Sequence, residues 1–228
     1  LPFAQDVNRQ LAGCGFTLCS GGIMAGNPDW CLSLDEWRNR FFEWVRRPEP
    51  QALLNASIFF DLRPLHGDID LAESLRSLLL SLTVETPAFL HLMAANALQA
   101  PAPLSFLGDV VGEGDDGNEV DLKKFGSRIF VDAARIFALS SGARSVNTSA
   151  RLFDAGPAVG LHKDEIAAVD AAFSHVLRIR LTHQVASGKN GGNGVRLPDL
   201  NEVDRAILKE SLKQARRLQQ RLKLNYAL

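Results

Sequence analysis

From residue 68 to the C-terminus the apolar residues recur at three- and four-residue intervals, and that period dictates helices. Ile69, Ala72, Leu75, Leu79 and Leu82 form one stripe behind Asp68, whose carboxylate suits an N-cap. Phe89, Leu90, Met93 and Ala97 form a second behind Thr86-Pro87, a cap followed by proline at the first helical position, where its missing N–H costs nothing. Further helices are predicted over 129–139, 148–153 and 164–184, the last aligning Ile166, Val169, Phe173, Val176 and Leu177. Asp199-Leu200-Asn201-Glu202 reads as a capping box. It opens a final helix carrying Val203, Ile207, Ser211, Ala215, Leu218 and Leu222, roughly 40 Å long at about 1.5 Å per residue. Each stripe gives its helix one apolar face, so the helices must bury those faces against one another as a bundle.

The first 66 residues read differently. Phe3, Val7 and Leu11 step at helical spacing towards a stop at Gly13 or Gly15, and residues 15–28 are dense in glycine, as in a strand and loop. Ser33-Leu34-Asp35-Glu36 is a capping box before a helix with Trp37, Phe41, Trp44 and Val45 on one face, ending before Pro48. Ser57-Ile58-Phe59-Phe60-Asp61-Leu62 is predicted to be a strand. Two or three strands without partners would leave open edges, so this part is expected to be the rear of a larger domain, in keeping with a chain that starts at Leu1 rather than Met. The expected fold class is therefore mainly α: a C-terminal helical bundle (67–228) preceded by a partial α/β segment (1–66). Irregular structure is expected over 101–117, and a flexible loop over the glycine-rich 188–194.

Composition removes several functions. Lysine and arginine number 25 against 26 aspartate and glutamate, a net charge of −1, so no global basic field holds a nucleic-acid backbone. Residues 211–228 hold five Lys/Arg and no acid, which reads as a solvated flank of the last helix rather than a nucleic-acid groove. Cys14, Cys19 and Cys31 are too few and too unevenly spaced for a disulfide framework or a zinc site and read as reduced thiols. The apolar runs are far too short to span a bilayer, and a cytoplasmic protein without nucleic-acid or membrane partners is expected.

The chemistry concentrates at Asp61. A carboxylate ending an apolar run is costly to bury unless it meets a cation or a strong donor. It can close the strand by pairing with Arg63 or backbone, or it can ligate Mg²⁺, which takes carboxylate oxygens and substrate phosphates. Gly67-Asp68-Ile69-Asp70 mimics an Asp-x-Asp metal pair but opens a periodic helix, where acids are expected from the helix dipole. Lys123, Lys124, Arg135, Arg151, Arg178, Arg180 and His183 can contact phosphates, set against their ordinary use on solvated helix faces.

Phe60-Asp61-Leu62-Arg63-Pro64-Leu65-His66-Gly67-Asp68, preceded by Gly21-Gly22-Ile23-Met24-Ala25-Gly26-Asn27-Pro28-Asp29-Trp30, resembles a bacterial family of nucleotidyltransferases related to the N-terminal region of protein-PII uridylyltransferase. Asp121-Leu122-Lys123, Val131-Asp132-Ala133-Ala134-Arg135, Asn147-Thr148-Ser149-Ala150-Arg151-Leu152 and Leu181-Thr182-His183-Gln184 resemble that family's helical substrate-binding domain. The resemblance implies that residues 1–66 are the C-terminal part of a polymerase-beta-like nucleotidyltransferase domain. It makes Asp61 the third catalytic, metal-binding carboxylate, and Arg63, Lys123, Arg135, Arg151 and His183 substrate-binding residues. It places the Gly-Ser turn and the catalytic Asp-x-Asp pair upstream of Leu1, so this chain alone is expected to be inactive. The implied reaction passes a nucleoside monophosphate from a nucleoside triphosphate to a protein or small acceptor with Mg²⁺, in chains where cyclic-nucleotide-binding or CBS sensory domains often come first. The other reading is a non-catalytic regulatory or interaction module attached to such sensory domains.

Overall fold

A computed structural model describes residues 1–113, 117–188 and 192–228. Among them are nine α-helices: α1 (Pro2–Gly13), α2 (Leu34–Arg46), α3 (Pro50–Phe59), α4 (Ile69–Glu85), α5 (Pro87–Ala97), α6 (Arg128–Ser141), α7 (Thr148–Ala155), α8 (Lys163–Ser187) and α9 (Glu202–Tyr226). Two three-residue strands, β1 (Glu119–Asp121) and β2 (Gly194–Arg196), pair antiparallel with Val120 opposite Val195. The architecture is mainly α, as the periodicity requires.

The predicted caps explain most of the boundaries. Ser33 accepts from the Glu36 amide while the Glu36 carboxylate takes the Ser33 N–H at 2.7 Å, so the capping box of α2 is closed from both sides. Ser33→Ala is expected to lower stability by about 1 kcal/mol, read as a small fall in the denaturant midpoint at an unchanged slope. Asp68 caps α4 through the Asp70 amide, which accounts for the Asp-x-Asp mimic as helix chemistry. Pro87 opens α5 at 91° to α4, and Asn147 caps α7. Gly142 ends α6 at φ +71°, a backbone conformation that glycine adopts without strain. The expected cap of the last helix shifts by two residues: Asn201 accepts from the Asp204 amide at 2.8 Å, and Asp199 closes a short 3₁₀ turn instead.

The segment 57–62 corrects the sequence reading. It is not a strand: α3 runs through Phe59, and no strand lies among the described residues before β1, so residues 1–66 are helical and not α/β. Pro50 occupies the first turn, and Ala52, Asn55 and Ala56 are buried one helical turn apart. Successive residues of a helix point about 100° apart, so adjacent phenylalanines can serve two neighbours. Phe59 sits 4.7 Å from the Trp30 ring and 4.8 Å from Trp37, while Phe60 meets Phe41 at 5.3 Å and Phe89 at 6.0 Å. A short apolar run does not distinguish strand from buried helix by period alone, and packing decided it. Residues 15–28 likewise form turns and no strand.

At the centre lies α6, whose Ile129, Phe130 and every residue from Ala133 to Leu139 are buried. Helices α5, α7 and α9 pack on it, α8 packs along α9, and α2 packs on α4. One hydrophobic cluster runs from Phe41 through Phe137 to Leu222, so α2 and α3 share their core with the later helices. Gln219, buried on α9, accepts from the Ala102 amide and donates to the Ala100 carbonyl, both at 2.9 Å, and so fastens the segment leaving α5. Within the region predicted to be irregular, Leu104 and Val110 bridge a tight turn; residues 114–116 lie outside the described part, as do 189–191 of the predicted flexible loop. Helix α1 stands apart. Ala4, Asn8 and Ala12 are its half-covered residues, with the Asn8 side chain accepting from the Gly26 amide, and Phe3, Val7 and Leu11 remain exposed. No single described helix is long and apolar enough to cross a membrane.

Candidate functional site

Asp61 follows α3 directly, and the geometry of that turn sends its carboxylate towards α6 and α7. Arg135 of α6 grips it as a fork, Nε to Oδ1 at 3.1 Å and Nη2 to Oδ2 at 2.6 Å. Arg151 of α7 adds Nη1 to Oδ1 at 2.7 Å. Both guanidinium groups are buried, and parallel Arg–carboxylate bonds of this kind are strong and direction-specific. Arg151 also donates Nε to the Ser145 carbonyl at 2.8 Å, so one residue ties α3, α7 and the loop before α7.

The pairs extend outwards. Asp132 bridges Arg128, at 3.1 Å, and Arg135, at 2.8 Å, along the surface of α6. On α4, Glu73 pairs with Arg76 and with Arg144, and Arg76 donates to the backbone carbonyls of Leu62 and Arg144. Five arginines (76, 128, 135, 144, 151) thus meet three carboxylates (61, 73, 132), leaving an excess of two positive charges around the turn after α3. Burial alone would raise the Asp61 carboxyl, but Arg135, and then Arg151, hold it below its ordinary value. Burial would also lower Arg135, and the two aspartates outweigh it and keep the guanidinium firmly charged. Arg151 is pushed the other way, by burial first and by the cations Arg135 and Arg76 beside it, against the pull of Asp61.

Both oxygens of Asp61 are therefore committed to guanidinium donors in a positive field, an arrangement that does not fit a Mg²⁺ ligand. Among the described residues no three His, Cys, Asp or Glu side chains converge as a metal-ligand set. Of the two sequence readings for Asp61, ion pairing matches the geometry, though with partners 74 and 90 residues away rather than Arg63.

A cavity of about 190 Å³ opens beside this lattice, between α3, α5 and α6. Its floor is Leu53, Leu54, Met93 and Ile136, and its polar edge comprises Ser57, Asn96, Arg128, Asp132 and Arg135. Such a volume is smaller than a complete small-molecule site, so it fits one end of a ligand.

The structure brings together three of the six residues singled out for chemistry: Asp61, Arg135 and Arg151. Arg63 is exposed and makes no ion pair among the described residues. Lys123 is exposed on a π-helical turn (Lys123–Ser127) after β1, where Asp121 Oδ1 accepts the amides of Lys123 and Lys124, each at 2.8 Å. His183 is half-buried on α8 in a separate cavity of about 380 Å³ with Arg178 and Asp204. None of these three bonds to the Asp61 cluster. Arg180, on the same helix, donates to Ser127 Oγ at 2.9 Å and Asn193 Oδ1 at 3.0 Å, and its buried Nε has no partner among the described residues. Sequence reasoning missed Asp132 and Arg128 as members of the site, although their i, i+3 and i, i+4 spacing to arginines on one helix was visible. It also missed Arg76, a charged residue lying among the apolar positions of α4.

These features define a helical module built around arginine–carboxylate pairs. A family model described as "Putative nucleotidyltransferase substrate binding domain" matches residues 87–226, and another, "Putative nucleotidyltransferase DUF294", matches residues 1–51. The chain belongs to this nucleotidyltransferase family and carries its substrate-binding domain. No curated protein and no solved structure matches it.

Proposed function

We propose that this chain holds one end of the substrate in a nucleoside-monophosphate transfer of the uridylyltransferase kind, with the cavity between α3, α5 and α6 as the binding site. The observation that carries the reading is the half-exposed Arg128 guanidinium at the edge of that cavity, beside the Asp132–Arg135–Asp61 pairs. Phosphoryl groups and acidic acceptor segments both present oxygens to such an edge, and Arg128, about half exposed, is the member placed to bind them. Arg135 and Arg151 are spent on Asp61 and act as positioning residues: they fix the turn after α3 and hence the Ser57 and Leu54 wall of the cavity. Asp61 is likewise a positioning residue, and metal chemistry in the transfer falls to groups other than this carboxylate.

Saturable binding of UTP by the chain, followed by ligand-observed NMR at millimolar concentration, is the expected result. Arg128→Ala should weaken it about tenfold, the order of one lost charge-assisted hydrogen bond, while Arg217→Ala on α9 should not. Binding insensitive to Arg128, or no saturation at all, would refute the assignment. The full use of Asp61 in ion pairs also favours the second reading, a non-catalytic module under sensory control. Transfer activity that needs Arg128 distinguishes the enzyme from the module.

A further inference from the structure

Phe106 and Leu107 are 99% and 84% exposed, the largest consecutive apolar pair left to solvent. They form the tip of a tight turn: Ser105 donates to the Asp109 carbonyl at 2.8 Å, Gly108 donates to the Ser105 carbonyl at 3.1 Å, and Leu104 bridges Val110. Gly108 adopts φ +85°, which the turn requires and side chains resist. The tip is braced from α9. Arg216 donates to the carbonyls of Leu104 and Ser105, and Lys209 Nζ pairs with Asp109 at 2.6 Å. A floppy loop would let the two side chains fold back; this one is held so that they cannot. Two large apolar groups held in water gain nothing from folding, and nothing in the core of this chain calls for them.

Beside the tip lies a groove of about 440 Å³ between the same turn and the start of α9. Val110, Leu197 and Ala206 give it apolar walls, and Glu202, Arg205 and Lys209 rim it. The surrounding charges are of both signs: Asp109, Glu202 and Glu210 against Arg205, Lys209, Lys213 and Arg216, the last of these turned onto the carbonyls of the tip. A patch of one sign repels its own copy, and a cationic one attracts an anionic lipid surface, whereas a patch of mixed sign can pair with its own copy. It sets acid against base across a twofold axis. Tip and groove adjoin on one face, as a reciprocal exchange between two identical chains needs.

We infer that this face is a homodimer interface in which the Phe106–Leu107 tip of each chain enters the groove of the other. The interface stands apart from the cavity at Arg128 and does not depend on what that cavity binds. Sedimentation velocity of the whole chain between 1 and 200 µM is expected to show a monomer–dimer equilibrium. Phe106→Ser with Leu107→Ser should weaken association at least tenfold with unchanged circular dichroism and melting temperature, since both side chains are already in water. Ala206→Arg, an exposed position on α9 that fills the groove, should weaken it as much. A chain that stays monomeric throughout the range overturns the proposal. So does a dimer indifferent to the tip, a dimer that tolerates the filled groove, or a monomer that co-floats with phosphatidylserine vesicles through Phe106.

Discussion

Asp61→Asn is expected to destabilise the fold by about 3 kcal/mol, the scale on which removing one partner of a buried ion pair leaves charge uncompensated. At about 2–4 °C per kcal/mol for a chain of this size, the melting temperature should fall by about 6–12 °C. The loss comes from the arginines. Arg135 and Arg151 stay buried and charged, and without the carboxylate they face one another and Arg76. Removing one of them should therefore recover part of the loss: Asp61→Asn with Arg151→Met should be more stable than the sum of the single changes predicts. The pH dependence has a definite sign. The folded carboxyl lies below its unfolded value, so its contribution is full above the unfolded value near pH 4 and is lost as pH falls through the folded one. Wild type and Asp61→Asn should differ fully at pH 7 and converge in acid. Added Mg²⁺ should leave the difference unchanged; a Mg²⁺-dependent rise in the wild-type melting temperature that Asp61→Asn abolishes would restore the metal reading of this carboxylate.

Phe60→Ala is expected to cost about 3–5 kcal/mol, the usual range for emptying a buried aromatic site. Phe60 is almost wholly buried and lies between Phe41 of α2 and Phe89 of α5, so its removal opens a cavity where the early helices meet the bundle. Collapse is restrained on the α2 side because Phe41 also stacks on Trp44 at 5.6 Å. Phe59→Ala should cost less, since that ring is only partly buried, but it should still cost more than 1 kcal/mol and change the fluorescence of Trp30 and Trp37. The pair tests the corrected secondary structure. A strand would send 59 and 60 to opposite faces and leave one substitution near neutral, whereas the helix makes both felt. Denaturant midpoints with tryptophan emission would report both quantities in one experiment.

Much of the fold was legible before any coordinates. The stripes behind Asp68, Pro87 and the 199–202 cap specify helices because a 3.6-residue period and a cap are local properties, settled within a few turns of chain, although which residue caps the last helix was not. The segment 57–62 was not legible. Six apolar-rich residues satisfy either period, and the choice fell to Trp30, Trp37, Phe41 and Phe89, all of which lie more than 17 residues from Phe60.

The candidate site divides along the same line. Residue type singled out Asp61, because an acid ending an apolar run needs a cation or a strong donor, while Arg135 and Arg151 were singled out by the blocks that resemble the family and by their place beside apolar helix faces. Sequence could not say that they partner one another, since a carboxylate accepts a metal ion and a guanidinium alike, and only distance separates the two. By itself, then, the sequence determined that residues 68–228 form capped amphipathic helices and that the chain resembles a nucleotidyltransferase family. The tertiary structure alone decided that Asp61 is held by arginines and that the cavity lies beside α6. Ion pairs between residues 74 and 90 positions apart depend on how whole helices pack, which no local period encodes.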